Sequence, residues 1–147
     1  AHMQNTIVNL GPNYKMKFIV RDLGGSRIDL NTLKQKVPQI DVTNESLIAD
    51  TIEEVIAKFQ HAVIQNQLAE LIHHFNQYDE VIEEELFEIV REEIEMAIDN
   101  DKPHAEKLKK ILFGSTITVK ALLSMRMENK VKKYLNTKLD NPIKKEV

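Results

Sequence analysis

Residues 43–75 read TNESLIADTIEEVIAKFQHAVIQNQLAELIHHF, and their apolar side chains recur at intervals of three and four positions. Such spacing places them on one face of a helix, so the stretch predicts an amphipathic helix that begins near residue 43. It is longer than an average helix, which predicts a kink or break within 61–67. Similar spacing, with breaks at Pro103 and Gly114, predicts further helices over 79–98, 104–113 and 116–133.

The segment before this helix predicts β-structure. Residues 4–22 are rich in β-branched side chains and are interrupted by Gly11-Pro12-Asn13, a cluster that suits a turn, so we expect a β-hairpin. A short further strand is expected over 27–30. The predicted fold class is α+β, mainly α, with an N-terminal β-hairpin or small antiparallel sheet over 1–38, followed by a bundle of amphipathic helices over 39–147.

Composition restricts the function classes. The 147 residues carry 20 Lys and Arg against 23 Asp and Glu and contain no cysteine, which excludes disulfide frameworks, thiol nucleophiles, Fe–S clusters and cysteine-ligated zinc. Without a basic excess, no nucleic-acid partner is expected. No apolar run approaches the roughly 20 residues of a membrane span and no signal segment is recognisable, so we expect a cytoplasmic protein without a membrane partner.

Polar side chains gather at the two chain ends of the predicted hairpin. They are His2, Gln4, Asn5, Arg21 and Asp22. The turn would make Asn5 and Asp22 neighbours, and an amide oxygen beside a carboxylate is the kind of ligand pair that holds Mg²⁺, with water and nucleotide phosphate as further ligands. The same residues also suit a solvated strand end, and the strand register is open at this point.

Two motifs in this chain resemble a known family. His2-x-Gln4-Asn5, a hairpin and then Arg21-Asp22-x-x-Gly25 resemble the ATP-site signature of the IucA/IucC family of NRPS-independent siderophore synthetases. Near the other end, KALLSMRM over 120–127 and Asn-Pro-Ile over 141–143 resemble the closing elements of the same family. Two matches in the same order are more specific than either alone.

The resemblance implies roles for particular residues. Residues implied to bind the nucleotide cofactor are His2, Gln4, Asn5, Arg21 and Asp22. Asn5 and Asp22 would hold Mg²⁺, and His2 and Lys120 would be catalytic, with Lys120 as a cation that binds the carboxylate substrate. Residues 1–38 would then be the hairpin part of a palm-like nucleotide-binding region. Ala1-His2-Met3 also matches a common cloning scar, in which case Asn5 and Asp22 keep their roles.

The function implied by the resemblance is siderophore biosynthesis by an ATP- and Mg²⁺-dependent ligase. Such an enzyme adenylates a carboxylate, commonly citrate or a citrate derivative, and condenses it with an amine or alcohol. Because the enzymes of the family are several times longer, the chain is expected to be a C-terminal fragment, inactive alone, whose partner is the remainder of the full-length synthetase. A homodimer is left open.

Two other functions compete with the ligase. One is a non-catalytic helical protein-interaction module, which would explain the long apolar stripe but not the polar cluster at the hairpin. The other is an iron reductase of the FhuF type, which needs cysteines for an Fe–S centre, and the sequence has none.

Overall fold

A computed structural model describes residues 3–78, 82–127 and 135–145. The chain divides into two compact units, Ala1–Gln67 and Leu68–Val147. The predicted class, α+β and mainly α, is confirmed. The predicted division of the chain at residue 38 stays a prediction. Within the described ranges, no helix is both long and apolar enough to span a membrane.

The first unit is built from short strands and helices. In chain order they are β1 (Thr6–Leu10), β2 (Met16–Val20), β3 (Ile28–Asp29), α1 (Leu30–Lys36), β4 (Ile48–Ala49) and α2 (Ile52–Phe59). The short strand predicted over 27–30 is present as β3, and it pairs in parallel with β4. The prediction that the long helix begins near residue 43 is wrong, because Ile48 and Ala49 belong to β4. The helix begins only after Thr51, whose side chain accepts a hydrogen bond from the Glu54 N–H at 3.3 Å.

The predicted hairpin is confirmed as the antiparallel pair β1 and β2. Its register places Thr6 opposite Val20 and Leu10 opposite Met16. The Gly11 N–H donates to the Lys15 carbonyl at 2.8 Å and so closes the turn. The turn therefore lies at the predicted Gly11-Pro12-Asn13 cluster.

The register gives the hairpin two unlike faces. Because side chains alternate along a strand and opposed residues share a face, one face is almost wholly apolar. This apolar hairpin face consists of Val8, Leu10, Met16, Phe18 and Val20, which are 47% to 63% exposed. The other face is mixed, since it carries the apolar pair Ile7 and Ile19 and the polar pair Asn9 and Lys17. An apolar surface of this kind in a folded chain indicates a surface that another structure covers.

The predicted interruption of the long helix is confirmed, in the form of a π-helix. Residues Gln60–Ala69 form this π-helix, which continues α2 and leads into α3 (Glu70–Asn76). The wider turn changes the direction in which successive side chains point, and such segments occur frequently at functional sites. Gln60 is only 2% exposed, so the π-helix begins in the interior.

The second unit combines helices with a two-stranded sheet. After α3 it contains α4 (Ile82–Ala97), α5 (Ala105–Leu112), β5 (Thr116–Lys120), α6 (Leu122–Met127) and β6 (Asn136–Asp140). The helices predicted over 79–98 and 104–113 correspond to α4 and α5, although 79–81 lie outside the described residues. Strands β5 and β6 pair antiparallel, with Thr116 opposite Asp140.

The prediction of one helix over 116–133 is wrong for its first part. Residues Thr116–Lys120 form β5, in which Ile117 and Val119 are buried while the alternating threonines are less so. This period of two, in a run of β-branched residues, is a strand signal that outweighs the helical spacing of the leucines that follow. Helix α6 covers Leu122–Met127, and 128–133 lie outside the described residues.

Asn141 joins the end of β6 to helix α5. Its side chain is almost fully buried, and its Nδ2 donates to the carbonyl oxygens of Leu112 and Gly114, both at 2.7 Å. Its Oδ1 accepts the Ile143 N–H at 3.2 Å. The Asn-Pro-Ile element is therefore a structural connector within the second unit.

Replacing Asn141 by Ala should lower the free energy of unfolding by about 1–3 kcal/mol. The substitution leaves the buried Leu112 carbonyl and the part-buried Gly114 carbonyl without this donor, and the Ile143 amide without this acceptor. Urea unfolding followed by circular dichroism measures the change. Asn136→Ala is the matched control, because Asn136 is exposed on β6 and its loss should change the unfolding free energy by less than about 0.5 kcal/mol. Equal stability of the two variants would contradict the connector role.

A salt bridge links the chain after β6 to helix α4. The Lys145 Nζ donates to both carboxylate oxygens of Glu95 at 2.7 Å, and it lies 5.8 Å from the Phe113 ring centre. The hydrogen bond from Lys145 lowers the pKa of the Glu95 carboxyl. The stabilisation from this pair is therefore present at neutral pH and is lost as the pH falls through the lowered pKa.

Candidate functional site

Asn5 and Asp22 face each other at the open end of the hairpin. Asn5 ends the short 3₁₀ turn Met3–Asn5 just before β1, and Asp22 follows β2 by two residues. The Arg21 N–H donates to the Asn5 carbonyl at 2.9 Å, which extends the hairpin ladder by one pair. As a result the Asn5 Nδ2 lies 3.3 Å from the Asp22 Oδ2 and donates to it. The structure thus places the two residues as neighbours, while their role as metal ligands stays a prediction.

Asp22 turns the chain sharply after the hairpin. Its backbone is left-handed, with φ 55° and ψ 67°, a conformation that Asp tolerates better than most residues. The 3₁₀ turn Leu23–Gly25 follows at once. A Cβ built on Gly24 would lie 3.7 Å from the Asp22 Oδ1, in van der Waals contact. A side chain at Gly24 would therefore take up space beside the carboxylate.

A cavity of about 220 Å³ opens beside this pair, within the first unit. Its polar lining consists of Asn5, Asp22, Ser26, Arg27 and Lys58. Its apolar lining includes Val55, Phe59, Ala62 and Val63, from α2 and the π-helix. The cavity therefore combines charged and hydrogen-bonding groups with apolar side chains.

Sequence reasoning missed Lys58 and Arg27 as members of this site. Lys58 lies on α2, far along the chain from Asn5, and only folding brings it to the hairpin end. One signal was present, because Lys58 follows Val55 by three positions and precedes Ala62 by four. A lysine between two positions of an apolar stripe packs its stem and directs its ammonium to the rim.

The remaining predicted site residues lie elsewhere. Gln4 is exposed in the turn before β1, and Arg21 is exposed between β2 and Asp22. His2 lies outside the described residues. Lys120 belongs to the second unit, where it is half-buried at the end of β5 opposite Asn136. The prediction that Lys120 lies on a helix is wrong, so its role rests on the family motif and not on the position expected for it.

The donor atoms at the hairpin end suit a magnesium ion. Among the described residues, no three His, Asp or Glu side chains come close enough to form a metal cage by themselves. Asn5 and Asp22 both line the cavity and both carry a hard oxygen atom, but the Asn5 amide turns its nitrogen toward the Asp22 carboxylate, so the amide would have to rotate for its oxygen to share an ion with Asp22. Mg²⁺ is commonly held by one or two protein oxygens, with water and substrate phosphates completing its octahedron. The donor set therefore fits this ion when a phosphate ligand is also present.

Known proteins resemble this chain over its whole length. Residues 1–135 match the family described as "Ferric iron reductase FhuF-like transporter". The chain is 71% identical over all 147 residues to "Staphyloferrin A synthase" of Staphylococcus aureus (strain NCTC 8325 / PS 47), of which it covers 25%. It is 25% identical to "D-ornithine--citrate ligase" of the same organism, over 99% of this chain and 25% of that protein.

The chain thus spans about a quarter of the length of the curated relatives that it matches. The resemblance to siderophore synthetases that the hairpin and closing motifs indicate is confirmed by both relatives. The chain therefore belongs to the FhuF-like family, and it resembles the FhuF-like C-terminal domain of NRPS-independent siderophore synthetases.

Proposed function

We propose that this chain is part of an ATP- and Mg²⁺-dependent ligase of siderophore biosynthesis. The enzyme adenylates a carboxylate, citrate or a citrate derivative, and condenses the product with an amine or alcohol. One observation carries the proposal, namely 71% identity over the whole chain to a protein named "Staphyloferrin A synthase". The second relative is named as a citrate ligase, which supports citrate as the acid and ligation as the class of reaction.

The chemistry proposed explains why nucleotide and metal are needed. A carboxylate is a poor electrophile, so one of its oxygens first attacks the α-phosphorus of ATP and pyrophosphate leaves. The amine nitrogen or alcohol oxygen then attacks the acyl carbon, loses a proton, and AMP leaves with the electron pair of the broken bond. A bound Mg²⁺ would neutralise charge on the phosphates. Asn5 and Asp22 are the residues that would hold it.

The FhuF-like family description also names an iron reductase. No described feature favours that activity over the ligase, and the sequence has no cysteine with which to ligate an Fe–S cluster. The interaction-module alternative finds some support in the apolar hairpin face. In our proposal, the remainder of the full-length synthetase covers that face. The exposed apolar surface is then explained without a separate protein partner.

Isotope exchange in the full-length synthetase tests the proposed reaction. With citrate and Mg²⁺ present, labelled pyrophosphate should enter ATP, because adenylation is reversible until the nucleophile attacks. Exchange should need the acid but not the amine or alcohol. Formation of ADP and phosphate in place of AMP and pyrophosphate would contradict adenylation.

Lys120 is expected to bind the carboxylic acid and not the nucleotide. An ammonium group is a compact point charge that suits a polycarboxylate. Lys120→Ala in the full-length enzyme should raise the KM for the acid about 10- to 100-fold, the equivalent of one charge-assisted hydrogen bond, and leave the KM for ATP nearly unchanged. Lys138→Ala is the matched control, since Lys138 is exposed on the neighbouring strand β6. Equal changes in both KM values, or none, would count against this role.

A further inference from the structure

Lys58 brings a positive charge to the glycine turn that follows Asp22. It lies on α2, is half-buried, and lines the same cavity as Asn5 and Asp22. A Cβ built on Gly25 would come within 4.0 Å of the Lys58 Nζ. The ammonium group therefore lies over the Leu23–Gly25 turn, within the reach of any ligand bound beside Asp22.

Gly25 is not required by its backbone conformation. Among the described glycines none has a positive φ, so a side chain at Gly25 would meet no backbone penalty of the left-handed kind. A Cβ there would also make only ordinary van der Waals contact with Lys58. A larger side chain would extend beyond the Cβ and occupy the space beside the Lys58 ammonium group. A ligand anion that binds Lys58 at this turn would need the same space.

With a divalent cation bound to Asp22, the charges that line this cavity would match a polyanion better than a single carboxylate. Lys58 and Arg27 supply two cations against the one carboxylate of Asp22. The Arg27 guanidinium is held beside the turn, where its Nη1 donates to the Ser26 carbonyl at 2.9 Å. A divalent cation on Asp22 would make the cavity lining more positive still. Several neighbouring negative charges are then needed to balance it, as a chain of phosphates provides.

We propose that Lys58, whose ammonium group lies beside Gly25, binds the phosphate chain of ATP next to Asn5 and Asp22. This inference rests on the proposed ligase function and adds to it a residue that neither the motifs nor the relatives indicate. Lys58 acts as a binding residue for the pyrophosphate portion of the nucleotide. The apolar side chains of α2 and the π-helix that line the cavity lower the local dielectric constant, which strengthens the attraction between the charges.

Direct binding in the full-length synthetase tests the proposal. MgATP, and magnesium pyrophosphate in a second series, are titrated calorimetrically into the wild type and three variants. Lys58→Met removes the charge but keeps the stem, and should weaken binding of both ligands about 10- to 100-fold. Lys58→Arg keeps a cation and should weaken binding by less than about fivefold. Lys34→Met is the matched control, because Lys34 is exposed on α1 of the same unit, and it should bind like the wild type.

A fourth variant, Gly25→Leu, blocks the space and leaves the lysine in place. It should weaken pyrophosphate binding about as much as Lys58→Met does. If Lys58→Met fails to fold, this variant tests the phosphate-binding role of Lys58 in its place. Kinetics provide a second readout, since KM for ATP should rise while KM for the acid stays within about twofold.

The outcomes separate this inference from the proposed function. A rise in KM for the acid alone would assign the ammonium to the substrate carboxylate and overturn the phosphate role. Unchanged pyrophosphate binding in both Lys58→Met and Gly25→Leu would also overturn it. If the wild type bound no MgATP and showed no pyrophosphate exchange, the ligase function itself would fail, whichever residue was changed.

Discussion

The isolated 147-residue chain should release no carboxylate-dependent pyrophosphate from ATP. The chain spans only a quarter of the length of its relatives, and its cavity of about 220 Å³ is smaller than the roughly 300–1,000 Å³ pockets that enclose drug-sized ligands. In our proposal, Asn5, Asp22 and Lys58 contact the phosphates, and the remainder of the synthetase supplies the rest of the nucleotide site. A coupled pyrophosphate assay with citrate and Mg²⁺ measures this directly.

The full-length synthetase is the positive control in that assay, at equal concentration and under the same conditions. Turnover by the isolated chain of about 1 s⁻¹ or more, the range of ordinary enzymes, would show that the quarter-length chain is a complete catalyst. A chain that is folded by circular dichroism but inactive would support the fragment assignment. Its folded state is therefore recorded on the same sample.

Asp22→Asn in the full-length enzyme should lower adenylation activity by roughly 10²-fold. The variant keeps the size of the side chain but replaces an anionic oxygen ligand by a neutral amide, so Mg²⁺ loses its charged protein ligand. Changes even in the residues behind metal ligands typically cost about 10- to 100-fold. Raising the Mg²⁺ concentration should recover part of the activity, because the defect is in metal affinity.

Asp41→Asn provides the control for this substitution, since Asp41 is an exposed carboxylate of the same unit, in the link between α1 and β4. It should leave activity within about twofold. Full activity of Asp22→Asn at unchanged Mg²⁺ concentration would remove Asp22 from the metal site. The hydrogen bond from Asn5 would then serve only to close the hairpin.

The parts of the site that sequence reasoning predicted depend on local signals. The Gly11-Pro12-Asn13 turn lies midway between two runs of similar length, so it brings Asn5 and Asp22 together without any distant partner. The interruption near 61–67 was predictable from length alone. The sequence did not predict that this interruption is a π-helix, because the spacing of apolar residues gives the period of a helix only approximately.

The parts that were missed depend on distant partners. Strand β5 needs β6, which begins 16 positions after β5 ends, and the leucine spacing of 122–127 made the whole segment resemble a helix. Lys58 reaches the hairpin end only through the packing of α2, which no local pattern shows. The position of Lys120 was argued from a helix that does not exist there, so its predicted role now depends on the motif alone.

The apolar hairpin face has a consequence for how the separated chain behaves at high concentration. A two-stranded ribbon has two unpaired edges, and an edge beside exposed Val8, Phe18 and Val20 is a template for the addition of a strand from another molecule. Lys15 and Lys17 place positive charge near the turn, where like charges oppose such stacking. If the remainder of the synthetase covers this ribbon, as we propose, proteolytic separation of the domain should expose a segment prone to β-aggregation.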